Sequence, residues 1–195
     1  MQVYTLALFV HIVGVLGVLV GVGVWLFAVA ALRRAEQVAQ VRALAGLTVA
    51  SGNVAVGGVL LLTAGGVYMA LTAWSLEATW IIVATISFVL LAPFGAFVLD
   101  PRIRALAKAA AAAPDGSLPV SLSERVRDPI LGIGLNLYVA VLLGIVFLMT
   151  TKPPVVVVSI LVMVAAALLG LASALPLWWA ARSSSSMRKT RTPVG

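Results

Sequence analysis

His11 is the only histidine in the chain and, tyrosines apart, the only ionisable side chain well inside a long uncharged stretch. An imidazole can carry a proton near neutral pH or ligate a metal, so one held in hydrocarbon is a functional candidate. It lies on roughly the same helical face as Gly14 and Gly21, which points it into a helix bundle. At its depth the neighbouring polar or soft side chains are Tyr68, Met69, Thr85, Ser87 and Met149. Three chemistries are open to it. A neutral imidazole bonded to Tyr68, Thr85 or Ser87 would be structural. A ligand to haem or copper would need Met69 or Met149 beside it, because one histidine cannot make a bis-histidine site. A proton-linked or substrate-contacting role is the third. Asn53 and Asn136 are the other intramembrane polar candidates, and their depths allow a hydrogen bond between the second and fourth helices that acts as structural glue.

Much chemistry is excluded. The chain has no cysteine, so disulfides and thiolate metal sites are ruled out. No multi-residue metal site, catalytic residue, phosphate-cradling loop or Ser-His nucleophile pair is present, and no Asp, Glu, Lys or Arg lies in the middle of an apolar run. A hydrolase or ion-coupled pump is therefore disfavoured, and no cofactor is expected.

The elements that must position these residues follow from the charge pattern. Met1–Leu32, Ala43–Leu76, Ala78–Leu99, Pro129–Thr151 and Pro153–Ala181 contain no Asp, Glu, Lys or Arg. Each exceeds the roughly 20 residues a helix needs to cross a bilayer core. The runs are apolar all round and lack period-two alternation, which excludes both a soluble amphipathic bundle and a membrane barrel. The expected fold is all-α, a polytopic membrane protein built as a bundle of five transmembrane helices. One domain over residues 1–182 is predicted, with spans about 4–32, 48–73, 80–99, 129–151 and 155–181. A cytoplasmic loop covers residues 100–128, and a basic tail, residues 183–195, is expected to be disordered. No segment outside the spans looks large enough to hold a core of its own.

Twelve of the thirteen Lys and Arg residues fall in loops one and three and the tail, and only Lys152 falls in an even-numbered loop. Positive charge stays cytoplasmic, so the N-terminus is placed outside and the C-terminus inside a plasma (inner) membrane. Arg33, Arg34, Arg102, Arg104, Lys108, Arg188, Lys189 and Arg191 are the residues expected to face lipid headgroups. The +7 charge is thus an orientation signal and not a nucleic-acid surface. Trp74 and Trp80 flank the outer loop as interfacial anchors. Pro101–Ala113 reads as a short basic helix on the cytoplasmic surface, Pro114-Asp115-Gly116 as a turn, and Ser121 with Glu124 as a capping box starting the next helix. Pro93 is placed to kink the third span.

Small residues line one side of each of four spans: Gly14, Gly17 and Gly21; Gly58 and Gly65; Gly132, Ala140 and Gly144; Ala166, Gly170 and Ser173. Such stripes let helix backbones approach closely, either within one chain or at a seam between copies.

Leu8 to Gly14, Leu62 to Met69 with the Trp-bearing outer loop after it, and Asp100 to Arg104 carry a family likeness. Across spans one to four the chain resembles small, uncharacterised bacterial integral membrane proteins distantly similar to the copper-resistance D membrane domain. The resemblance implies a histidine early in span one, here His11. Val18 and Leu19 stand where that family commonly has a Trp-Gly pair, and the further histidines and methionines of its copper-linked members are missing.

The function expected is a non-enzymatic integral membrane protein, a structural or accessory subunit of a membrane complex or a self-associating bundle. The alternatives are permeation of a small solute or copper-like metal, and a haem- or pigment-binding redox component using His11. The partners expected are the lipid bilayer and either a second copy or a larger membrane complex.

Overall fold

The chain is all-helical in the computed structural model, which describes residues 2–74 and 77–189, with side chains described through Ala174 in the last helix. Helix α1 runs Gln2–Leu32, α2 Val38–Thr72 and α3 Thr79–Phe94. A π-helical turn, Gly95–Leu99, joins α3 to α4, Asp100–Ala112. Short α5, Val120–Val126, precedes α6, Pro129–Thr151, and α7 covers Val156–Lys189. Five helical stretches are long and apolar enough to cross a membrane. The uncharged runs dictate this: in lipid each backbone amide needs a partner from its own segment, and a helix supplies one.

Two hairpins organise the bundle. In the first, α1 and α2 meet backbone to backbone: an ideal Cβ on Gly14 would lie 2.2 Å from the Leu62 nitrogen, and one on Gly58 2.7 Å from the Gly14 oxygen. Gly17, Gly21 and Gly65 continue that seam against Gly58, Ser51 and Ala7. In the second, α6 and α7 meet where a Cβ on Gly144 would touch Ala166 and one on Gly170 would touch Leu137. The stripes on these four helices are consumed within the chain. Helix α3 packs on α6, and Val18, Val22, Trp25 and Val29 of α1 join Ala84, Leu91, Leu135 and Leu142 in the main core.

The charged end departs from expectation in four ways. The basic segment after residue 100 is no separate surface helix: α3, the π turn and α4 form one unbroken rod. Pro93 and Pro101 each lack an amide donor, and the turn widens between them, so the chain continues where a break was expected. Secondly, there is a second core. Leu32, Val38, Val41, Leu106, Ala110, Leu122 and Val126 are buried together, because α2 and the α3–α4 rod both project past the apolar band. Thirdly, α5 starts at Val120 after Pro119, so Ser121 is already in the first turn and does not cap it. Finally, α7 runs to Lys189, past the expected helix end near residue 181, with no Gly or Pro between Leu177 and Lys189 to stop it. Residues 190–195 lie outside the described residues.

The turn predicted at Pro114–Gly116 is present and docks on the start of α2. The Val38 amide donates to the Gly116 oxygen at 3.0 Å, and the Leu118 amide donates to the Glu36 oxygen at 3.0 Å. Gly116 has φ 137°, a conformation L side chains rarely adopt.

Candidate functional site

His11 sits in the α1–α2 seam with its Cβ against Gly65 and its ring over Gly66. Its Nδ1 lies 2.6 Å from the Leu62 carbonyl oxygen. A carbonyl only accepts, so Nδ1 carries a proton, and in the neutral ring Nε2 is then the nitrogen with the lone pair. None of the three expected side chains serves it: Tyr68 and Thr85 are exposed to the surroundings of the bundle, and the partner is the α2 backbone itself. The close Gly65 approach brings that carbonyl within reach. Met69 is buried on α2 and Met149 packs against the main core. Among the described residues no three His, Asp or Glu side chains gather as a metal site would require.

The two asparagines are not brought together. The Asn136 amide donates to the Gly132 oxygen at 2.8 Å, and its Oδ1 accepts from Ser173 on α7 at 3.3 Å. Asn53 instead faces outward on α2, and no hydrogen bond to it is formed among the described residues. It stands about 16 Å along the helix from Arg42, well into the apolar stretch. It shares an exposed face with Gly46, Ala50, Gly57, Ala64 and Tyr68. A Cβ added to Gly46 or Gly57 would meet nothing within 4 Å.

The basic residues have varied duties. Arg42 ties the α4 end to α2: Nη2 donates to the Ala113 oxygen at 2.9 Å, Nε to Ala110 at 3.3 Å, and Nη1 pairs with Asp115 at 2.9 Å. Arg102 pairs with Asp128 at 3.2 Å, and Arg104 with Asp100 at 2.6 Å. Arg34 and Lys108 are exposed, whereas Arg33 is half-buried. Burial holds the Arg33 guanidinium below its ordinary pKa, and the Asp128 charge opposes that shift. Arg188, Lys189 and Arg191 lie outside the residues whose side chains are described.

Two groups escaped sequence reasoning. Trp25 donates from Nε1 to the Thr48 oxygen at 2.7 Å and covers Gly52, locking the lower α1–α2 seam. At the opposite end Trp74 and Trp80 meet edge to face at 5.3 Å, with Lys152 Nζ 4.4 Å from the Trp74 centroid. Lys152, the one cation expected on that side, is held by aromatic faces. A Trp on either side of a loop that meets a lone lysine was a readable signal for this cluster.

No curated protein and no solved structure matches the chain. A family model does, over residues 5–153, which takes in the first four spans and both basic connections between them. The match supports the expected kinship with uncharacterised membrane proteins and does not extend to the copper-resistance D domain. The chain belongs to the DUF2269 family of predicted integral membrane proteins.

Proposed function

We propose that this protein is a non-enzymatic membrane subunit that associates, through the outward face of α2, with a second copy or with another chain of a membrane complex. The observation that carries this reading is Asn53. A carboxamide directed at lipid leaves its donors and acceptor unmet, and hydrocarbon offers no water to meet them. Its flanking small residues leave room for another backbone to come close, the usual geometry of helix association in membranes. The α1–α2 and α6–α7 seams are already filled, so the free stripe is available only to something outside the chain. The loop charges support an N-out, C-in orientation in a plasma membrane.

Mild solubilisation followed by native gel electrophoresis tests the reading. Wild type is expected as a heavier assembly, and Asn53→Leu as a smaller species with unchanged helicity. A wild-type monomer in the mildest detergents would count against it.

A second reading has one observation in its favour. Metal-ligating histidines characteristically donate their other ring nitrogen to a carbonyl or carboxylate, as His11 does to Leu62. That leaves Nε2 suited to copper or haem iron, and so to metal permeation or redox chemistry of the kind the copper-resistance D likeness would imply. Absorbance between about 350 and 700 nm, where haem absorbs, and metal analysis of wild type beside His11→Ala separate this reading from the first. Equal, negligible metal in both with a colourless preparation would remove it.

A further inference from the structure

The half-buried Arg33 guanidinium is short of acceptors. Its Nε is inaccessible and unpartnered, and its one hydrogen bond, from Nη2 to the Asp128 carbonyl oxygen, is long at 3.5 Å. The Asp128 carboxylate is turned to other partners: Oδ2 pairs with Arg102 at 3.2 Å and Oδ1 accepts from the Ile130 amide at 2.8 Å. Two guanidinium groups therefore share one carboxylate, leaving net positive charge at this corner. Beside Arg33 lies a cavity of about 60 Å³ lined by Leu26, Val29 and Ala30 of α1 and by Gly132, Leu135 and Asn136 of α6. Asn136 donates one amide hydrogen to Gly132 and its Oδ1 faces Ser173, so the groups left open beside the cavity are donors, its second amide hydrogen and the Arg33 guanidinium, and the demand is for an anion. The volume holds about two water-sized groups.

We infer that this corner between α1 and α6 binds the phosphate of an anionic glycerophospholipid. Two phosphate oxygens fit the cavity and accept from the solvent-reachable end of the Arg33 guanidinium, while the acyl chains lie along the exposed Phe27 and Ala30 side of α1. Position favours a lipid over a free ion. Arg33 directly follows α1 at the charged end of the bundle, where headgroup phosphates stand, and apart from Asn136 the rest of the lining is apolar. This is distinct from a general attraction of surface cations for the membrane, which exposed Arg34 would provide equally.

Native mass spectrometry of the full chain taken from vesicles of equal phosphatidylglycerol and phosphatidylcholine tests the assignment. Wild type should retain the anionic lipid about fivefold over the zwitterionic one, the worth of one basic side chain at a headgroup. Arg33→Gln should lower that ratio to about one, and Arg34→Gln should leave it unchanged. Ala30→Leu, which fills the cavity without touching charge, should also abolish the preference and guards against a fold defect in Arg33→Gln. A preference that survives both Arg33→Gln and Ala30→Leu, or one lost equally in Arg34→Gln, overturns the assignment. Displacement of the lipid by millimolar inorganic phosphate would reassign the cavity to a free anion and overturn it too.

Discussion

Replacing Gly14 by alanine should separate the first hairpin, whereas the same replacement at Gly23 on the same helix should strengthen it. The Gly14 Cβ would stand 2.2 Å from the Leu62 nitrogen, 2.7 Å from the Gly58 oxygen and 2.8 Å from the Leu62 Cα. All three are backbone atoms, so no side chain can turn aside. Ordinary contact begins near 3.4 Å, and α1 and α2 must part by about 1 Å at this point, enough to forfeit a quarter to a half of each nearby dispersion contact. Overpacking costs about 1–3 kcal/mol, and a rigid backbone on both sides puts this site near the top of that range. Alanine returns about 0.8 kcal/mol of helix propensity, leaving a net loss of about 2 kcal/mol. At Gly23 a Cβ meets nothing within 4 Å, so only the propensity gain remains. For a chain of this size the shifts are about 4–8 °C downward and 1–3 °C upward in Tm. Thermal unfolding in detergent, followed by fluorescence in a background that keeps Trp25 and replaces the other four tryptophans by Phe, reads the seam itself through the bond of Trp25 to Thr48. Equal shifts at the two positions, or a neutral Gly14→Ala, would refute the backbone contact.

Lys152 ends α6 at φ 48° and ψ 58°, a left-handed conformation that costs an L-residue about 1–2 kcal/mol, while its contact with Trp74 returns about 0.5–1. Lys152→Met should therefore destabilise by up to about 1 kcal/mol, and Lys152→Gly, which sheds the strain, should be neutral or mildly stabilising; a stabilised Lys152→Met in thermal unfolding would contradict this. Arg42→Ala removes charge-assisted bonds to the α4 end, and should cost about 1–2 kcal/mol after allowing for the exposure of Asp115. Limited proteolysis should cut first between residues 113 and 119, and an unchanged cleavage pattern would show that Arg42 does not hold that turn.

The spans were legible because charge is expensive in hydrocarbon, and five stretches avoid it. The glycine stripes were legible as packing surfaces, but their partners were not: which stripe meets which depends on three-dimensional pairing. His11 was visible as the odd residue out, yet its partner was hidden, since a backbone carbonyl has no sequence signature. Asn53 and Asn136 sit at matching depths, and depth alone cannot say which way a helix is rotated. The second core could have been found. Leu106 and Ala110 follow Ile103 of the main core at helical spacing among Arg and Lys, an amphipathic pattern that needs a surface to cover it. Reading that stretch as a helix lying on the membrane supplied lipid as the cover, where the structure supplies α2 and α5.

Association through the lipid-facing side of α2 is best tested in the native membrane, and the absence of cysteine makes the chain well suited to it. A photoreactive benzophenone carried on Ala50→Cys, which leaves Asn53 in place on the same face, should form protein adducts on illumination, as should one on Gly57→Cys. The same probe on Leu90→Cys, 70% exposed on α3, should label lipid. Protein adducts confined to the α2 positions are the predicted result. Lipid labelling alone at residues 50 and 57, or indistinguishable protein labelling from residue 90, would contradict it.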